Sequence, residues 1–127
     1  MWVVFDRDWF PPDDFDNAIH MAEADKIRCA WSNEAFELWY LLHFEYRNTG
    51  MTRTEYEYRL TEHLGSPYQK NAEDMFERLE ASGNRGKASK RAALLRSQHD
   101  TATPYHAQNP CTTVDRLVGR LLRFRNP

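Results

Sequence analysis

The chain has 127 residues, of which 41% are hydrophobic and 28% charged, and its formal net charge is −2. This composition is typical of one globular domain and excludes an intrinsically disordered chain. Because the charge is nearly balanced, an anionic partner must be bound by a local basic patch rather than by the protein as a whole. No apolar run approaches the ~20 residues of a membrane span, and the features of a secretory signal are missing. We therefore predict a cytoplasmic protein that does not bind membranes.

The first fifty residues alternate between strand-like and helix-like patterns. We predict strands over residues 2–6 and 27–31 and helices over residues 13–26 and 36–46. Asp13 or Asp14 is expected to cap the first helix, and Ser32 or Asn33 the second, since short polar side chains accept hydrogen bonds from free helix N–H groups. The order strand, helix, strand favours a right-handed parallel crossover and an α/β fold.

The rest of the chain has the spacing of helices joined by turns. We predict helices over residues 54–64, 72–81, 87–98 and 114–124. Only two strands are clear, and a parallel sheet of two strands does not bury itself, so further strands are either hidden or absent. We predict one domain over 1–127, with an incomplete α/β core over 1–50 and a helical part over 51–127.

The end of the first predicted strand carries two aspartates, Asp6 and Asp8. In an extended chain, residues two apart point the same way, with Cα atoms roughly 6.6 Å apart. Mg²⁺ is usually held by one or two carboxylates together with waters, and α/β folds bind ligands at the carboxyl ends of parallel strands. The alternative is that Asp8 forms a turn and Asp6 only ends the strand.

A further acidic residue, Glu37, lies among apolar side chains of the second predicted helix. A buried carboxylate must be paired, metal-bound or protonated, because burying it unpaired costs several kcal/mol. Two interpretations are open. Glu37 completes a metal site with Asp6 and Asp8, or it forms an ion pair with an arginine such as Arg28 or hydrogen bonds with backbone amides. His43, on the same helix, is predicted to be a hydrogen-bonded core residue.

A basic segment without acidic residues begins the fifth predicted helix. Its cationic side chains are Arg85, Lys87, Lys90 and Arg91. A phosphate backbone would bind along such a face, and Lys70 would extend it. The alternative is an ordinary solvated face that is balanced by the neighbouring acidic helix.

Several segments are shared with a known family. The stretches VVFDRD and SNEAFELWYLLHF, together with SPYQK and NPCTTVDRLV, resemble the RloB-like (AbiLii-like) family. That family is found in bacterial restriction and phage-resistance loci and is related to Toprim domains. The resemblance implies a Toprim-like parallel sheet, a Mg²⁺ (or Mn²⁺) cofactor, and nuclease-type action on phosphodiester bonds. It implies that Asp6 and Asp8 are the catalytic, metal-binding pair, and we predict that Glu37 completes or orients this catalytic and metal-binding site.

In that family a strand ending in the catalytic glutamate is expected upstream of WVVFDRD, whereas here the segment follows Met1 directly. The resemblance therefore implies a C-terminal portion that is inactive in this short form unless Glu37 replaces the missing glutamate, with an exposed sheet edge open to pairing. The predicted partners are nucleic acid, a defence ATPase, or a second copy in a homo-oligomer. The alternative function is a non-catalytic module that docks onto a defence partner protein or nucleic acid.

Overall fold

A computed structural model of the chain describes residues 1–7, 10–70 and 72–125. Its elements are β1 (Trp2–Asp6), α1 (Pro12–Ala24), β2 (Arg28–Asn33), α2 (Glu37–Leu42), α3 (Arg53–Leu64), α4 (Met75–Ser82), α5 (Arg85–Ser97), a short 3-10 helix (Tyr105–Ala107), β3 (Cys111–Thr112) and α6 (Val114–Arg125). Within the described ranges, every helix is too short or too polar to cross a bilayer. The fold is a mixed α/β architecture with a helical C-terminal half, as predicted.

The sheet has three strands in the order β1, β2, β3. β1 and β2 are parallel, with Asp6 opposite Ser32, which confirms the predicted parallel pairing. β3 was not predicted from the sequence, and it runs antiparallel to β2 with Thr112 opposite Ser32. The hydroxyl oxygens of these two residues are 2.8 Å apart and share a hydrogen bond. A strand of only two residues, Cys111 and Thr112, is too short to show an alternating pattern, so its sequence gives no strand signal.

β1 lies at the edge of the sheet. Among the described residues it pairs with β2 alone, and Val3 and Val4 are 36% and 50% exposed. Such an edge presents unpaired backbone groups beside apolar side chains, a combination that favours pairing with another strand.

The largest core cluster surrounds α2, whose Leu38, Leu41 and Leu42 are completely buried. The predicted helix over 36–46 is too long, because α2 has only six residues and then turns at His43. The turn packs closely on Gly83, where an added Cβ would lie 2.9 Å from the Cβ of His43. Nδ1 of His43 is 2.9 Å from the carbonyl oxygen of Trp39, which confirms the prediction of a hydrogen-bonded core histidine.

Neither predicted pair of helix caps is correct. α1 begins after Pro11, so Asp13 and Asp14 lie within its first turn, where negative charge still stabilises the helix dipole. Ser32 and Asn33 are the last residues of β2. They do not cap a helix, because β2 continues beyond the apolar run 27–31 and includes both residues.

Asn33 is fully buried and joins β2 to the segment that precedes β3. Its Nδ2 donates to three carbonyl oxygens, those of Tyr105, His106 and Gln108, at 3.4, 2.9 and 2.9 Å. A side-chain amide that satisfies backbone carbonyls in this way fixes an irregular segment that has few ladder hydrogen bonds of its own.

Candidate active site

The first carboxylate of the candidate site stands at the carboxyl end of β1. Asp6 is the last residue of that strand, and its side chain is 20% exposed. Its Oδ2 accepts a hydrogen bond from the backbone N–H of Phe36 at 3.1 Å and another from Nη2 of Arg53 at 2.6 Å. The chain just before α2 and the first residue of α3 therefore fix this carboxylate at the edge where α/β folds bind ligands.

The second carboxylate, Glu37, is the first residue of α2 and is only 2% exposed. Its Oε2 accepts a hydrogen bond of 2.6 Å from the Tyr68 hydroxyl, and its Oε1 lies 3.4 Å from Nε of Arg53. The structure thus shows an ion pair with an arginine, although the partner is Arg53. Arg28 instead places its guanidinium 5.6 Å from the ring centroid of Trp2.

The guanidinium of Arg53 consequently links both carboxylates of the site. Two negative charges that are buried near each other without a cation are strongly unfavourable. One guanidinium can bind both carboxylates, because it presents several N–H groups in one plane. Burial and the neighbouring Glu37 raise the pKa of Tyr68 above its ordinary value, and the same two causes raise the pKa of Tyr40. The Tyr68 hydroxyl therefore stays protonated at neutral pH and remains a donor.

The carboxylate oxygens of the site are ligands of the type that Mg²⁺ prefers, since this ion is usually held by one or two protein carboxylates together with waters. Of the three predicted ligands, the structure brings Asp6 and Glu37 together around Arg53, and Asp8 lies outside the described residues. The described residues contain no cluster of three or more histidine, cysteine or acidic side chains arranged for a metal ion. Within the described ranges, the guanidinium of Arg53 is the positive charge that lies between Asp6 and Glu37.

Two of the predicted nucleic-acid contacts have structural partners. Nη1 of Arg85 lies 3.0 Å from a carboxylate oxygen of Glu80. Nη1 of Arg91 donates to the carbonyl oxygen of Leu42 at 2.7 Å, at the end of α2. Arg91 therefore satisfies one of the last carbonyls of that helix and supports its junction with α5.

The three predicted lysines project into solvent. Lys87 and Lys90 are exposed on α5, and Lys70 is exposed two residues after Tyr68. Because Tyr68 touches Glu37, Lys70 lies on the chain segment that borders the candidate site.

Sequence reasoning missed Arg53, although one local signal was present. Thr52 caps α3 by accepting a 3.2 Å hydrogen bond from the N–H of Glu55, so Arg53 occupies the first turn. A positive charge in the first turn interacts unfavourably with the helix dipole, so an arginine at this position indicates an ion-pair partner elsewhere in the fold.

The fold and the site together define an α/β protein with an arginine-linked pair of carboxylates at the carboxyl end of parallel strands. The chain belongs to the RloB-like family, because the family model described as RloB-like protein matches residues 1–121. A search of the curated proteins finds no match. A search of the solved structures likewise finds none.

Proposed function

We propose that this RloB-like protein is a Mg²⁺-dependent enzyme of the Toprim-like type that acts on nucleic-acid phosphodiester bonds. We propose that the protein is cytoplasmic and that it is encoded in a phage-defence or restriction locus. The observation that carries the proposal is the position of Asp6. It combines the carboxyl end of a parallel strand, partial exposure, and a guanidinium 2.6 Å away. Phosphoryl-transfer sites need oxygen ligands for a cation next to a group that recognises phosphate, and this edge offers both.

The proposed roles follow from the contacts. Asp6, together with Asp8, would hold the metal ion, which supplies Lewis-acid polarisation of a phosphoryl oxygen when it is bound. The N–H of Phe36 orients Asp6. Glu37 was expected to complete or to orient the site, and its contacts with Tyr68 and Arg53 support the orienting role. Arg53 would then hold Asp6 and Glu37 in position beside the bound ion.

Lysine side chains would hold the rest of the substrate. Lys70 borders the site, and α5 carries Lys87 and Lys90 on its exposed surface. Contacts of this kind bind the phosphate backbone without reading its sequence.

Calorimetric titration of Mn²⁺ into the protein tests the metal assignment. Asp6→Asn keeps the size of the side chain and an acceptor for Arg53, and we expect it to abolish Mn²⁺ binding. Asp14→Asn is the matched control, because Asp14 is an exposed aspartate in the first turn of α1. Retained Mn²⁺ affinity in Asp6→Asn would refute the assignment.

A second variant separates the two roles of Glu37. If Glu37 orients Arg53, Glu37→Gln should bind Mn²⁺ like the wild type and cleave a labelled oligonucleotide more slowly, by about 10²-fold as for other misplaced catalytic groups. If Glu37 is a ligand, the same variant loses Mn²⁺ as well. No cleavage by the wild type in the presence of bound Mn²⁺ would contradict the enzymatic proposal.

The exposed edge of β1 favours a second candidate function, a non-catalytic module that docks onto a partner such as a defence ATPase or a second copy. Val3 and Val4 give this edge its apolar surface. Val4→Lys places a charge on the edge strand, a substitution that natural sheets use against pairing. Loss of a dimer or of a co-purifying partner in this variant, with Mn²⁺ binding intact, would support the module.

A further inference from the structure

A cleft of about 730 Å³ lies between α6 and the turn that joins α1 to β2. Its walls carry five cationic side chains and two acidic ones. The cationic residues are Lys26, Arg28, Arg116, Arg120 and Arg123. All five are exposed, so their charge is presented to solvent rather than used within the core.

The two acidic side chains of the cleft do not cancel this charge. Asp115 accepts hydrogen bonds of 2.5 and 2.9 Å from the guanidinium of Arg96, and its side chain is 10% exposed. Arg96 therefore neutralises Asp115, and Glu23 on α1 is the acidic group of the wall that remains exposed. The cleft has a net positive charge and suits an anionic ligand.

Lys26 occupies a backbone conformation that normally belongs to glycine. Its φ is 61°, and it follows the end of α1. The N–H of Ile27 bonds to the carbonyl of Ala22 at 2.8 Å, and the N–H of Lys26 bonds to that of Glu23 at 3.0 Å. This is the Schellman arrangement, in which a side chain in the left-handed position lowers stability relative to glycine. A lysine is nevertheless present on the cleft wall.

Gly119 is a second locally unfavourable choice on the same cleft. It lies within α6, where alanine is the better helix former, and a Cβ added to it would meet nothing within 4 Å. Packing within the described part of the chain therefore does not require glycine. Glycine leaves the helix backbone open to close approach by a ligand. Lys26 and Gly119 each lower the stability of the fold locally, and both line the same cleft. Residues that reduce stability in this way concentrate at functional sites, so the pair indicates a binding site.

We propose that this cleft binds the sugar-phosphate backbone of a single-stranded nucleic acid. Arginine guanidinium groups match phosphate oxygens in pairs, and Arg28 is held against the Trp2 ring at 5.6 Å, which restricts the orientations of its N–H groups. A cationic groove beside an aromatic side chain is the usual arrangement for single strands.

The cleft is separate from the candidate active site. Trp2 and Arg28 begin β1 and β2, and Asp6 ends β1, so the two sites lie roughly 13 Å apart along the strands. The choice of nucleic acid as ligand rests on the proposed function, and the cleft would hold substrate away from the bond that reacts.

The test is fluorescence anisotropy with a short labelled single-stranded oligonucleotide in EDTA, which prevents cleavage and removes metal binding from the measurement. The variant carries Arg116→Gln, Arg120→Gln and Arg123→Gln. Each phosphate contact to a single strand contributes about 0.7 to the slope of log K against log salt, so at 0.1 M salt three lost contacts raise Kd about 100-fold and reduce the slope by about 2. The matched control changes the same arginines to lysine, which retains the charge and should retain the slope.

Two single variants test whether Lys26 and Gly119 favour binding at the expense of stability. Lys26→Gly should raise Tm by about 3 °C while weakening binding about 5-fold, and Gly119→Ala should also raise Tm while weakening binding. A mutation that only damaged the fold would lower Tm instead.

The proposal is overturned if the triple glutamine variant binds with wild-type affinity and slope, or if both single variants do. It is also overturned if duplex DNA or polyglutamate competes as well as a single strand of equal charge. Weaker binding in Lys87→Gln, Lys90→Gln with unchanged binding in the cleft variant would exclude the cleft and leave the proposed function intact. The Mn²⁺ titration of Asp6→Asn tests that function independently.

Discussion

Replacing Arg53 by methionine tests whether this one side chain holds the candidate site together. Nε of Arg53 is 3.4 Å from a carboxylate that is 2% exposed, which corresponds to about 5 kcal/mol by Coulomb's law at an effective dielectric constant of 20. Removing one partner of a buried ion pair typically costs about 3–5 kcal/mol. Because the Arg53 side chain is itself 24% exposed, water can partly replace it. We therefore expect a loss near the lower limit, about 3 kcal/mol.

The assay is urea unfolding followed by circular dichroism. With an m-value of about 1.5 kcal/mol/M for a domain of this size, Arg53→Met should lower the midpoint by about 2 M. Arg59→Met is the matched control on the same helix. Its guanidinium bonds to Glu45 at 3.0 and 2.7 Å, but its side chain is 35% exposed, so its loss should change the midpoint much less.

A double variant supplies the refuting result. Glu37→Gln in the Arg53→Met background removes the buried charge that the first mutation leaves unpaired, so it should recover much of the lost stability. The reasoning is refuted if the double variant is no more stable than Arg53→Met, or if Arg53→Met and Arg59→Met unfold at the same urea concentration.

Three further predictions concern the surrounding structure. Tyr68→Phe should lower the free energy of unfolding by about 1.5–3 kcal/mol, because Glu37 loses a donor. Since burial raises the folded-state pKa of Tyr68, this contribution is present below pH 10 and declines at higher pH, which urea titrations at pH 8 and above pH 10 will check. Asn33→Asp should destabilise more than Asn33→Ala in thermal melts, because it places a buried carboxylate, which can only accept hydrogen bonds, against three carbonyl oxygens. Gly83→Ala should lower Tm, because its Cβ would meet His43 at 2.9 Å.

The parallel core was predictable because its signals are local and repeated. Trp2–Phe5 is a continuous apolar run, and residues 27–31 are apolar except for Arg28; proline and acidic residues mark the start of α1. Their order alone fixes the crossover. Glu37 was likewise recognisable as a buried carboxylate, since a charge among apolar positions at helical spacing requires a partner.

The partner of Glu37 and the third strand were not predictable in this way. Arg53 reaches Glu37 from a different helix, and several arginines in the chain were equally eligible by type. β3 is only Cys111–Thr112, and its place in the sheet depends on contacts more than seventy residues away, such as those of Asn33. Predictions from periodicity fail where tertiary hydrogen bonds, rather than apolar spacing, determine the conformation.

The late position of β3 has a consequence for the order of folding. Ser32 and Thr112 are eighty residues apart in the chain, yet they are hydrogen-bonded neighbours in the sheet. Closing so large a loop delays the step that joins them, and during synthesis β2 must wait for nearly the whole domain before its second neighbour arrives. In that interval the partly formed sheet has both of its edges open. We therefore expect the nascent chain, more than the finished protein, to depend on chaperones.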